Sequence, residues 1–248
     1  MDGNIALDGS INWNELEKET PRIESGVEGL DEALKGGLPA DNIILLTGTP
    51  GSGKTTIALQ FLMHSARKKV PSIYFTLEES TRDLIKQFIK FDPGMKDVLM
   101  SGMLKIVEVP LIDYESFKEN LGAEIDAIGA QRVVIDSISY LQMFFVDIVS
   151  IRKGIIELSA LLKSKNVFGI FIGEIPYGED KLSTYGVEEF ATDGVISVHM
   201  MEKQDAFIRA LRVVKMRGTD HMTKFIPMEI TEKGVVIYPK SQLFSEMQ

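Results

Sequence analysis

Apolar positions along the chain fall into two alternating rhythms. Residues 42–47, 71–78, 103–109, 132–138 and 167–174 are short, nearly continuous apolar runs of the kind shown by strands buried on both faces. Between them, longer stretches near 55–69, 81–90, 114–129 and 147–165 read as helices. That alternation predicts an α/β fold, a mostly parallel sheet flanked by helices. Ser80-Thr-Arg-Asp83 fits a capping pattern, which places the end of the preceding strand before it. Beyond residue 190 the rhythm changes: segments beginning at Val195, Phe207 and Phe225 read as strands with no helix between them, the last broken by a turn at Thr231 to Gly234. An antiparallel C-terminal extension is therefore expected. Residues 1–20 are polar, acidic and aperiodic, so the expected organisation is an N-terminal arm over 1–20 and one domain over 21–248.

The junction between the first strand and the first long helix carries the most informative motif. Gly48-Thr49-Pro50-Gly51-Ser52-Gly53-Lys54-Thr55 fits GxxxxGK[ST] at every fixed position, and Thr56 continues into the helix. The glycines free the backbone to turn successive N–H groups inward around phosphate oxygens. Lys54 supplies charge to the outer phosphates and Thr55 a hydroxyl for Mg2+, while the helix start presents its positive end to the same anion. Strand, glycine loop and helix occur in the order this function needs, so the chain is expected to bind a nucleoside triphosphate.

Composition narrows the class. The 248 residues are 44% hydrophobic, enough for a full core. A net charge of -9 argues against broad electrostatic capture of nucleic acid or of an anionic membrane. No cysteine occurs, so disulfides and thiolate metal sites are excluded. His64, His199 and His221 show no metal-ligand spacing. No leader-like or membrane-length apolar run occurs, and a cytoplasmic protein is expected.

Two further positions bear on chemistry. Arg132-Val-Val-Ile-Asp136 ends an apolar strand on a carboxylate, the Walker B arrangement, and in an open parallel sheet this end lies beside the phosphate loop. Asp136 is thus a metal candidate along with Thr55. Glu78 and Glu79 close the strand before Ser80 and are candidates to orient and deprotonate water, though two adjacent acids read equally as the solvated start of a helix. Neighbouring side chains leave a strand on opposite faces, so only one is expected to face the water.

These segments together resemble a known family. The stretch from Gly26 to Pro39, the phosphate loop, Phe75-Thr-Leu-Glu-Glu79, the Asp136 strand, Tyr185 to Phe190 and Lys215-Met-Arg-Gly-Thr-Asp-His221 are similar to the KaiC branch of the RecA-like ATPases, over roughly residues 20–240. The resemblance implies ATP and ADP as ligands with Mg2+, and slow ATP hydrolysis. It implies catalytic roles for Glu78 and Glu79. It also implies that Lys215 and Arg217, with His221 close by, reach the nucleotide of a neighbouring subunit. A homo-oligomer, a six-membered ring or a filament, follows from the same resemblance; a regulatory or signalling role is expected, with a protein partner in the binding-module reading below. The chain departs from the clock protein that names the branch. The loop occurs once rather than twice, and Glu189 and Phe190 stand where the second clock domain carries phosphorylated hydroxyls, so autokinase activity is not expected.

Three other functions bear comparison. A DNA recombinase would bind single strands through loops near 139–150 and 176–189, but these are apolar or net acidic, with Met143, Phe144, Phe145 and Asp147 in one and Glu179, Asp180, Lys181, Glu188 and Glu189 in the other. A nucleotide-switched protein-binding module is compatible with Gln142-Met-Phe-Phe-Val146 as a partner surface, although burial of that stretch is the commoner outcome. A small-molecule kinase would need a lid over a second substrate, and none is evident.

Overall fold

The computed structural model describes residues 20–109, 113–176, 181–203 and 206–243. The expected arm thus falls, up to residue 19, outside the described residues, as do Glu179 and Asp180. In chain order the elements are β1 (Arg22–Ile23), α1 (Leu30–Ala33), β2 (Leu38–Pro39), β3 (Ile43–Gly48), α2 (Lys54–Arg67), β4 (Ser72–Thr76), α3 (Thr81–Phe88), α4 (Met95–Met100), β5 (Leu104–Glu108), α5 (Tyr114–Ile128) and β6 (Arg132–Asp136). A 3-10 turn at Ile138–Met143 follows, then α6 (Ile148–Ser164), β7 (Phe168–Glu174), α7 (Glu188–Ala191), β8 (Gly194–Lys203), β9 (Ala206–Met216), β10 (Ile226–Thr231) and β11 (Gly234–Ile237).

Nine strands form one sheet in the order β11-β10-β9-β8-β3-β7-β6-β4-β5. The six from β8 to β5 run parallel, and β9, β10 and β11 extend the sheet antiparallel. The expected parallel core and antiparallel extension are both present. β1 and β2 pair separately, antiparallel.

Strand pleating sends alternate residues of β3 to opposite faces. Ile44 and Leu46 join the cluster under α2, with Ile57, Phe61 and Leu62; Ile43 and Leu45 join the cluster under α5 and α6, with Phe117, Leu121, Ile155 and Leu158. Each face is thereby sealed by helices, which is why the strand is apolar throughout. Local capping fixes where helices begin. Ser80, Asp113 and Asp147 accept from the backbone N–H of Asp83, Ser116 and Ser150 respectively, so the expected cap at Ser80 forms as read. Among the described residues no helix is long and apolar enough to cross a membrane.

Some elements lie outside the sequence reading. The short helices α1, α4 and α7 and the β1–β2 pair have too few residues to establish a period. β4 and β6 stop at Thr76 and Asp136, two residues earlier than the apolar pattern. At β4 the reason is a side-chain turn: the Thr76 hydroxyl donates to the Glu79 carbonyl at 2.7 Å and accepts from the Glu79 N–H at 3.1 Å. The stretch after β6 divides. Phe144 and Phe145 pack on Tyr114, at ring separations of 6.3 and 4.8 Å. Met143, Val146 and Val149 face solvent, so the burial expected for this segment is met only in part, by its two half-buried phenylalanines.

Gly29 locks the lead-in to the sheet. Its φ is +82°, and a Cβ there would lie 2.0 Å from the Ile237 carbonyl oxygen of β11. Gly102 has a similar φ of +73° with nothing near its Cβ position. Gly29→Ala is expected to cost well above the ~1–2 kcal/mol of left-handed strain that Gly102→Ala bears alone. Thermal denaturation of the two variants checks this, and equal losses would remove the steric explanation.

Candidate functional site

The parallel strands end together at one edge of the sheet. Gly48 of β3 pairs with Glu174 of β7, and Thr76 of β4 pairs with Asp136 of β6. The loop from Thr49 to Gly53 turns over this edge, with Gly51 and Gly53 at φ of +74° and +109°. Gly53 occupies the N-cap of α2 without a side-chain cap, so the first amides of that helix are left for another acceptor. The hydroxyls of Thr49 and Ser52 are buried without a partner among the described residues. Free backbone amides and orphaned hydroxyls on one loop suit a phosphate group.

Lys54 is buried against this loop and donates to the carbonyls of Gly48 at 2.9 Å and Thr49 at 3.2 Å. Burial lowers its pKa, and the charges of Glu174, Asp136 and Glu78 oppose that shift. Thr55 donates to Asp136 Oδ2 at 3.2 Å, and the Tyr74 phenol donates to the same oxygen. Burial pushes the Asp136 carboxyl up to about 6, with the Glu78 charge adding to the rise; donation from Tyr74 and Thr55 and the Lys54 charge act the other way. One buried ammonium therefore faces three carboxylates. Among the described residues no group of three or more His, Asp or Glu is arranged to hold a metal unaided. A hard cation here would take Thr55 and Asp136 together with phosphate oxygens, the pattern that suits Mg2+.

The adjacent glutamates diverge. Glu78 accepts from Ser137 Oγ at 2.7 Å and is the one whose charge acts on both Lys54 and Asp136. Glu79 accepts from Gln87 Nε2 of α3 at 2.8 Å. Pro50 lies exposed on the loop, and Thr56 is half-buried in the first turn of α2.

Lys215, Arg217 and His221 are not part of this cluster. Lys215 pairs with Val195, and Val195 with Leu45, so β9 reaches Lys215 well back from the phosphate loop. Arg217 lies beyond Met216, level with the start of β3, roughly 16 Å back from Gly48 at about 3.3 Å per residue. Lys215 donates to the carbonyls of Glu189 at 2.9 Å and Thr192 at 2.6 Å. Arg217 donates to Asp193 Oδ1 at 3.2 Å, while Asp193 Oδ2 accepts from the Ile43 N–H at 2.9 Å and lies 2.7 Å from Lys163 Nζ. Burial raises the Asp193 pKa, but the hydrogen bond from Lys163, the Ile43 amide and the two cations outweigh it and hold the carboxylate ionised. His221 anchors the loop after β9, its N–H donating to Asp220 Oδ1 at 2.9 Å. Asp193 and Arg217 line a polar cleft of about 660 Å³ together with Arg22, Lys35 and Lys163. Nearby, the Ser183 hydroxyl is buried and lies within hydrogen-bond reach of both the Glu188 and the Glu189 carboxylates.

Four residues near the loop escaped the sequence reading. Tyr74, in an apolar strand, signals packing. Ser137 directly follows Asp136, and Glu174 ends an apolar strand just as Asp136 does, a signal that could have found it. Arg209 donates to the Gly51 carbonyl at 3.4 Å from β9, a contact that only the antiparallel extension creates.

Comparison with known proteins agrees with this geometry. The ATPase family described as KaiC matches residues 23–242. UPF0273 protein PH0284 of Pyrococcus horikoshii is 33% identical over 241 residues, which cover 90% of this chain and 96% of that one. The circadian clock oscillator protein KaiC of Acaryochloris marina is 31% identical over 232 residues, 89% of this chain but 44% of that one. The crystal structure of the KaiC-like protein PH0186 from Pyrococcus horikoshii superposes with a TM-score of 0.81 at 36% identity, covering 89% of this chain and 100% of that one. A phosphate loop on a RecA-like sheet, with likeness of this extent to both single-domain and clock proteins, places the chain in the KaiC family of nucleotide-binding ATPases.

Proposed function

We propose that the protein is an Mg2+-dependent ATPase whose complete site forms between subunits of a ring, with a regulatory role exercised through the nucleotide state. The observation that carries this reading is the separation of Lys215 and Arg217 from their own phosphate loop by the depth of the sheet. Cations that far from their own loop can reach a phosphate only on a neighbouring copy. Lys54 and the loop amides bind the phosphates, and Thr55 and Asp136 hold the cation, which when bound neutralises charge on the phosphate oxygens. Glu78, held by Ser137, accepts the proton of the attacking water; Glu79, turned to Gln87, has a supporting role. A second, compatible reading is a nucleotide-switched binding module, favoured by the solvent-facing Met143, Val146 and Val149. The net charge of -9 speaks against DNA or an anionic membrane as the partner.

Arg217→Ala is expected to assemble as the wild type does, yet to lose ATP turnover by about a thousandfold, the order that a trans-acting arginine supplies. Light scattering and turnover against protein concentration check this together. Turnover indifferent to both assembly and Arg217 would overturn the shared site. Glu78→Gln should lower kcat by a factor of about 100 or more, and Glu79→Gln by far less; the reverse ranking would reassign the base. Asp136 also gives a pH dependence without ligand. Its folded pKa of about 6 lies above the ordinary aspartate value, so the folded chain binds that proton more tightly and the stability it contributes is lost as pH rises through about 6. Asp136→Asn should therefore melt above the wild type at pH 8, keep about half of that advantage at pH 5 and lose it only below about pH 4.

A further inference from the structure

Tyr74 sits midway along β4, fully buried between Ile106 of β5 and Val134 of β6. Its ring belongs to the cluster under α2, among Phe61, Phe88 and Phe168. Phenylalanine meets the packing requirement there three times, so the ring does not explain why this position carries a hydroxyl. A phenol buried this deeply needs a hydrogen-bond partner. Its partner is Asp136 Oδ2, the oxygen that also accepts from Thr55 Oγ1 at 3.2 Å. Two donors from two different elements thus converge on one oxygen of the carboxylate, and Oδ1 is the oxygen left for a cation. With Thr55 alone, the carboxylate keeps a rotation about its own bond that the second donor removes.

We propose that Tyr74 is a positioning residue for the divalent cation, its hydroxyl fixing the Asp136 carboxylate so that metal binding and nucleotide binding are coupled. The assignment rests on the Mg2+ reading of the site. It differs from a packing role in one respect: the hydroxyl acts on the affinity for the cation and leaves nucleotide affinity without the cation untouched.

Tyr74→Phe deletes a single oxygen and keeps the ring. ADP binding by calorimetry, in EDTA and across an Mg2+ titration, is measured for the wild type and for this variant, with melting curves as a check on folding. The expected result is an ADP affinity in EDTA within twofold of wild type, with the Mg2+ concentration for half-maximal tightening raised about tenfold, the order seen when an outer partner of a metal ligand is removed. In an Asp136→Ala background the same substitution should add nothing, because the effect runs through Asp136. An unchanged Mg2+ requirement, an equal loss of ADP affinity with and without Mg2+, or an additive effect in the Asp136→Ala background overturns the proposal. A wild-type ADP affinity indifferent to Mg2+ overturns the metal reading itself, and the Tyr74 assignment with it.

Discussion

The structure depends on one constraint: β3 is hydrogen-bonded on both edges to parallel strands and covered on both faces by helices. A strand so enclosed must be apolar along its length, and its neighbours β7 and β8 must run in the same direction. Each crossover then returns the chain so that every parallel strand ends at one sheet edge. Gly48, Thr76, Asp136 and Glu174 share that edge because of this topology, although up to 126 positions of numbering separate them. The phosphate loop has nowhere else to turn but over these ends, and the anion-seeking start of α2 meets the carboxylates there.

Charge at this edge is arranged at a cost to the ligand-free fold. Asp136 is half-buried near Glu78, and its raised pKa records how little the surroundings favour its charge. Lys54 offsets part of this from a position where burial lowers its own pKa. Such a cluster carries an excess of negative charge that a bound cation would offset, while a phosphate would compensate the burial of Lys54. The site is therefore built for a ligand rather than for stability.

The opposite edge is organised around Asp193. One buried carboxylate accepts from the first amide of β3, from Lys163 at the end of α6 and from Arg217 after β9. The start of the central strand, one covering helix and the antiparallel extension are thus tied at a single group. Arg217 is thereby held relative to the start of β3 and the end of α6.

How much was legible in the sequence follows from the range of each interaction. The phosphate loop, the Ser80 cap and the alternation of apolar runs are local, so the α/β class, the parallel core and the position of Asp136 could be read from neighbouring residues. The resemblance of the segments around Lys215 and Arg217 named those residues, but nothing in their spacing told that they sit at the far edge from Lys54; strand register decided that. The divergence of Glu78 and Glu79 was foreseeable from strand pleating, whereas which of them turns toward Asp136 depended on Ser137 and Gln87, donors from separate elements. Tyr74 illustrates the limit most plainly. In the sequence it is one aromatic in an apolar strand, and its hydroxyl gains meaning only because β6 packs beside β4 and brings Asp136 within reach. The kind of chemistry the chain carries was legible from short motifs alone, because each is made by neighbouring residues. Only the tertiary structure decided which groups share a site, because hydrogen bonding and charge act across strands whose neighbours are set by the fold.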